Sequence, residues 1–157
     1  ETDNVALIGY GSIGSKVKAN NIQSFLRKST YDSLKDFNTL VVTVQPEGND
    51  RLISEKILSK FKGKLISVSR STVIDNISLY KYIDNITHAY VDTLDDHLRQ
   101  YLIDTGKVTY TKHTAFEYGF SYENNTKYFD DLNSIIVDCL NNNVDKPILS
   151  RIERVTF

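Results

Sequence analysis

The stretch Ala6–Val17 reads ALIGYGSIGSKV. An apolar run, Val5–Ile8, stops at Gly9, and glycine returns at Gly11 and Gly14. A buried strand followed by a glycine turn and a helix is the context that makes a G-x-G-x-x-G pattern informative. Gly9 permits the tight turn, Gly11 lets the backbone approach a pyrophosphate with no Cβ in the way, and Gly14 allows close packing of helix on strand. The helix predicted over Ser12–Ala19 presents unpaired N–H groups and a positive dipole end to the phosphates. Ser12 and Ile13 complete the cradle, and Tyr10 covers the adenine or phosphate side. A glycine-rich turn with no ligand is the alternative, but three glycines are costly to keep unless the backbone needs them.

Outward from this loop, apolar runs and amphipathic segments alternate. Ile22–Leu26 reads as a second strand, Tyr31–Asp36 as a short helix, and Thr39–Val44, TLVVTV, as a buried strand rich in β-branched residues. Leu52, Ile53, Ile57, Leu58 and Phe61 follow helical spacing over Leu52–Phe61. Leu65–Val68 is a strand, Ile77–Ile83 a helix with Leu79, Tyr80 and Ile83 inward, and Ala89–Val91 a strand that His88 starts. Leu98–Ile103 is helical, Val108–Thr111 a strand, and Tyr122–Leu140 the longest helix, with Phe129, Leu132, Ile135, Ile136 and Leu140 inward. This alternation predicts an α/β fold: a doubly wound parallel sheet of Rossmann type in three αβα layers, with right-handed crossovers. Residues 1–141 form the dinucleotide-binding domain, and residues 142–157 a C-terminal tail in which an edge strand is possible.

Composition narrows the class. Of 157 residues, 40% are hydrophobic and 25% charged, as in ordinary globular domains, and the net charge of −1 gives no electrostatic case for nucleic acid or an anionic membrane. No apolar run approaches the roughly 20 residues that span a bilayer, and Val5–Ile8 is too short for a signal peptide. The single cysteine, Cys139, has no internal partner, so a reduced cytoplasmic location is the expectation. The sequons at Asn76, Asn85 and Asn124 then read as chance. Three scattered histidines and one cysteine give no metal-ligand spacing. There is no methionine, and the first strand starts almost at residue 5, so a piece of a longer protein is expected.

The end of the second strand bears on cofactor choice. NAD sites place a carboxylate there for the ribose hydroxyls, whereas this chain has Arg27, Lys28 and Ser29. A basic pair with a hydroxyl suits the 2′-phosphate of NADP through charge-assisted hydrogen bonds. A solvated basic loop is the other reading. NAD(P) is the expected cofactor, with NADP slightly favoured.

Four motifs in order, GYGSIG, TLVVTVQPEGNDRLI with SEKILSKFKGKLISVSRSTVID, HAYVDTLDD and VTYTKHTAF, resemble the nucleotide-binding domain of the D-isomer-specific 2-hydroxyacid dehydrogenases, over about Val5 to Leu140. The resemblance implies hydride transfer between a nicotinamide cofactor and a small 2-keto or 2-hydroxy acid. It places Arg70 on the substrate carboxylate, where a planar fork also polarises the keto oxygen, and makes His113 the proton donor and acceptor at the carbinol oxygen. It also implies cofactor contacts at Val44, Pro46, Ser69 and Asp92. The family's glutamate that pairs with the histidine is missing. Five residues beyond Asp92 stands His97, and Asp95 and Asp96 are the nearby carboxylates. Lys112 replaces the proline usual before the histidine. The family's substrate domain has no counterpart in this chain. Two functions therefore compete: an oxidoreductase domain binding a dinucleotide and a 2-keto acid, with a homodimer possible, and a nucleotide-binding regulatory or assembly module that has lost catalysis.

Overall fold

The computed structural model describes residues 3–25 and 31–111. Arg27, Lys28, Ser29, His113, the helix expected over Tyr122–Leu140 and the tail from residue 142 lie outside the described residues.

Among the described residues, six strands form one parallel sheet: β1 (Asn4–Ile8), β2 (Asn21–Phe25), β3 (Thr39–Val42), β4 (Gly63–Ser67), β5 (Ile86–Val91) and β6 (Val108–Tyr110). Their order is β2-β1-β3-β4-β5-β6. The chain leaves β1 in both directions, to β2 on one side and β3 on the other. A topological switch point therefore lies between the carboxyl ends of β1 and β3, where open α/β sheets bind ligands.

Side chains alternate across the sheet with the period of two that a strand imposes. Ala6, Ile8, Leu40, Val42, Leu65, Ala89 and Val91 face one side. There they pack with Ile57 and Leu58 of α1 (Glu55–Leu58), Leu79 of α2 (Asn76–Lys81) and Leu102 of α3 (Arg99–Asp104). Val5, Leu7, Val41, Ile66 and Tyr90 face the other side, with Val17 over them. Both faces are buried, which is why the central strands read as continuous apolar runs. The fold is the doubly wound Rossmann-type α/β fold.

Strands match their expected positions within a residue or three; α3 matches the helix expected over Leu98–Ile103 within one residue, and the earlier helices are shorter than expected. Over Ser12–Ala19 the chain makes only one 3-10 turn, Gly14–Lys16. The N–H groups of Lys16 and Val17 reach back three residues to the carbonyls of Ile13 (3.0 Å) and Gly14 (3.2 Å). Gly14, Ser15 and Val17 are all weak helix formers, so nothing local extends the turn. The helix expected from Leu52 begins only at Glu55. Ile53 is instead held extended in a parallel bridge to Ile74. Its N–H bonds the Val73 carbonyl at 3.0 Å, and its carbonyl accepts from Asp75 N–H at 3.0 Å. In α2 the cap is Asp75, whose carboxylate accepts from Ser78 N–H at 3.3 Å and Ser78 O–H at 2.9 Å. Tyr80, expected to face inward, is 46% exposed and meets the Tyr101 ring of α3 edge-on at 6.4 Å. So short a helix has room for one inward stripe, and Leu79 fills it.

Candidate functional site

Gly9 ends β1 with φ at 101°, a left-handed conformation that glycine adopts without strain. A Cβ there would also lie 2.8 Å from Val44 Cγ1 and 2.9 Å from the Thr43 backbone. Thr43, just past β3, completes the switch point. Its N–H continues the ladder to the Ile8 carbonyl at 2.9 Å, and its hydroxyl donates to the Gly9 carbonyl at 2.7 Å. Gly14 returns onto the same spot. A Cβ on it would overlap the Gly9 carbonyl and lie 2.7 Å from Thr43 Oγ1. Gly9 and Gly14 are therefore needed by the fold itself.

Gly11 is different. A Cβ on it would meet nothing within 4 Å, and Gly11 is not among the positive-φ glycines. Neither packing nor backbone conformation asks for glycine there. It sits with Tyr10 and Ser12 on the exposed crest of the loop, and Tyr10 is 64% exposed. Behind the loop stands a single 3-10 turn, Gly14–Lys16, rather than a full helix. A single 3-10 turn supplies no macrodipole of the usual size, so any anion here is held by loop N–H groups and hydroxyls.

Across the carboxyl ends of β3 to β6, hydroxyl side chains tie each loop to the next. Ser69, buried, donates to the Val44 carbonyl at 2.8 Å. Thr93 donates to the Ser69 carbonyl at 2.8 Å. Thr111 donates to Asp92 Oδ1 at 2.6 Å, while Asp92 N–H bonds the Ser67 carbonyl at 2.9 Å. Pro46 lies on the loop after β3, which Asn49 orders by donating to the Gln45 carbonyl at 2.8 Å. Arg70 follows Ser69 directly, with exposed side chain and extended backbone, and its carbonyl accepts from Val73 N–H at 3.0 Å. Val44, Pro46, Ser69, Arg70 and Asp92 thus share the carboxyl edge with the glycine loop. Thr43, Thr93 and Thr111 are residues that sequence reading passes over, because hydroxyls at strand ends carry no distinctive spacing.

Asp95 and Asp96 are both exposed and otherwise engaged. Asp95 Oδ1 accepts from His97 N–H at 2.9 Å, an Asx-type turn that starts the approach to α3. Asp96 pairs with Arg99, whose guanidinium also lies 5.0 Å from the centre of the Tyr110 ring. Among the described residues no cluster of three or more His, Cys, Asp or Glu side chains is placed to hold a metal ion, and no helix is long and apolar enough to cross a membrane.

No family model and no curated protein matches the chain by sequence. Solved structures match it by shape. An acyclic imino acid reductase in complex with NADPH and D-Arg superposes with a TM-score of 0.63 at 22% identity, over 90% of this chain and 52% of its own. An NADPH-dependent glyoxylate/hydroxypyruvate reductase from Sinorhizobium meliloti, with NADP and malonate, gives 0.63 at 17% identity, over 88% and 50%. A D-isomer-specific 2-hydroxyacid dehydrogenase from Lactobacillus delbrueckii ssp. bulgaricus, in its NAD-complexed form, gives 0.62 at 19% identity, over 88% and 53%. The chain carries the fold of the D-2-hydroxyacid dehydrogenases. It spans about half the length of these proteins, and at such identities the likeness is one of fold. The resemblance read from the four motifs is borne out at that level.

Proposed function

We propose that the chain is the nicotinamide-dinucleotide-binding domain of an oxidoreductase of the D-2-hydroxyacid dehydrogenase type. Gly11 carries the reading: it is a glycine that nothing among the described residues requires, on a loop at the switch point, where a side chain would obstruct a pyrophosphate. A reductase and a dehydrogenase of the same fold were solved with NADP and NAD respectively, which supports the same ligand class here. Gly9, Tyr10, Gly11, Ser12, Ile13 and Gly14 would hold the pyrophosphate, and Val44, Pro46, Ser69 and Asp92 would line the nicotinamide side. The bound nicotinamide supplies the hydride. Arg70 would grip a 2-keto acid's carboxylate, and His113 would hold the proton that the reduced oxygen takes up. Arg27, Lys28 and Ser29 would give NADPH its advantage. A contact from a charged donor is worth about 1.5–3 kcal/mol, a preference of about tenfold or more. We also propose a cytoplasmic location and a homodimer. Calorimetric titration of the chain with NADPH and NADH tests the reading: saturable binding with NADPH tighter is expected. Absence of binding by both would refute it, and equal or tighter NADH would remove Arg27, Lys28 and Ser29 from cofactor choice.

A second reading, a nucleotide-binding module without catalysis, is favoured by one observation. His97 stands where the resemblance calls for a glutamate, and the carboxylates beside it are engaged with the His97 backbone and with Arg99.

A further inference from the structure

The loops that leave the carboxyl ends of β3, β4 and β5 enclose a cleft of about 590 Å³, within the roughly 300–1,000 Å³ of small-molecule sites. Its walls are tied to one another. Arg51 N–H, in the loop after β3, donates to the Thr72 carbonyl in the loop after β4 at 2.7 Å. Asn76, buried, donates through Nδ2 to the Ser71 and Ile74 carbonyls at 2.9 and 2.8 Å. Its Oδ1 accepts from Asp95 N–H, in the loop after β5, at 3.2 Å. The cleft is thus formed before any ligand arrives, which lowers the ordering cost of binding.

The lining joins both signs of charge to an aliphatic surface. Arg51 has φ at 50°, a left-handed conformation that residues with a side chain seldom adopt. Pinned there to Thr72, it stands exposed on one wall of the cleft, with Asp50 beside it. Among the described residues the Asp50 and Arg51 side chains make no hydrogen bond or ion pair. Asp95 lines the wall that follows β5 and uses only Oδ1, on His97 N–H. Ile77, 65% exposed, and half-buried Leu98 line the same cleft. A ligand of a single sign would be drawn to part of this lining and repelled by the rest, because like charges brought together are costly. A molecule that carries both signs and an apolar tail satisfies all of it.

We propose that this cleft is a second ligand site, for a zwitterionic aliphatic α-amino acid. The carboxylate pairs with the Arg51 guanidinium, whose planar fork suits it, the ammonium with Asp50 and Asp95, and the side chain packs on Ile77 and Leu98. The proposal goes beyond the dinucleotide reading and uses none of the residues given to the dinucleotide.

The test titrates the full chain by calorimetry with L-leucine, with isocaproate, which lacks the ammonium, and with isopentylamine, which lacks the carboxylate. The expected result is saturable binding of leucine with a Kd below about 1 mM, and binding of each analogue at least about tenfold weaker. Arg51→Gln should weaken leucine by about tenfold or more at an unchanged melting temperature. Ile77→Ser, at an exposed position, keeps the test decisive where Arg51→Gln does not fold, and should lower leucine affinity severalfold. Saturating NADPH should leave leucine binding in place. Absence of saturation by leucine, equal affinity for either analogue, native affinity in the folded variants, or displacement of leucine by NADPH would overturn the proposal. Failure of NADPH to bind, with leucine still bound, would overturn the dinucleotide reading and leave this one standing.

Discussion

Gly11 and Gly14 stand in one loop and differ in surroundings: a Cβ at Gly14 would overlap the Gly9 carbonyl, whereas one at Gly11 would meet nothing within 4 Å. A methyl group at Gly14 would also crowd Thr43, so Gly14→Ala must shift backbone. Overpacking of this kind costs about 1–3 kcal/mol, and a chemical-denaturation midpoint that stays put would contradict the packing described. Thr43→Val keeps the shape and removes the hydroxyl that donates to the Gly9 carbonyl. The expected loss is about 1 kcal/mol, read from the same denaturation curve. Thr93→Val removes the donor to the Ser69 carbonyl next to Arg70, and the same measurement should find a similar cost. Gly9 was legible in the sequence as the turn and Gly14 as close packing, but the residues that Gly9 and Gly14 pack against were not. Those include Thr43 and Val44, more than 25 residues away in the chain and brought together only by the sheet.

At the scale of elements, β1 and β3 were legible because both faces of the sheet are buried, and each strand writes an apolar run. The earlier helices were over-read for a physical reason. Apolar spacing at Leu52–Phe61 is real, and Ile53, Ile57, Leu58 and Phe61 are all buried. Yet Ile53 is buried as part of an extended bridge to Ile74, a pairing that periodicity cannot separate from a helix turn. In the loop after β5, Asp95 and Asp96, the carboxylates nearest the place where the resemblance calls for a glutamate, are engaged by an Asx turn and by Arg99. His88 yields a prediction at this scale. It lies within β5, half-buried, with Nε2 at 2.8 Å from Thr109 Oγ1, its ring 4.5 Å from that of Tyr90, and Lys64 in register beside it on β4. Burial lowers its pKa from the ordinary 6.5. Its neutral form is therefore favoured in the folded state, so its stabilising effect is present above the unfolded-state value and is lost as pH falls through the folded one. Thermal melts at falling pH below neutrality should show the native chain losing more stability than a His88→Gln variant. Parallel pH profiles for the two would show that His88 does not couple to folding.

For the whole molecule, the chain spans about half the length of the solved structures whose fold it shares, and this bears on catalysis under the proposed function. This chain by itself is expected not to turn over 2-keto acids at a typical enzyme rate. Under the proposed function, hydride transfer needs the acceptor aligned and water excluded, and His97 stands where the resemblance calls for a glutamate. Cofactor oxidation with a panel of 2-keto acids checks this, and turnover that disappears in a His113→Ala variant would contradict it. The central claim, that the loop is built around a ligand's phosphates, is tested most directly by Gly11→Val. The account predicts that this variant melts at the temperature of the native chain, because its side chain points into open space, and that calorimetric titration finds its binding of NADPH and NADH abolished. A variant that stays folded and binds either dinucleotide with native affinity would contradict the account.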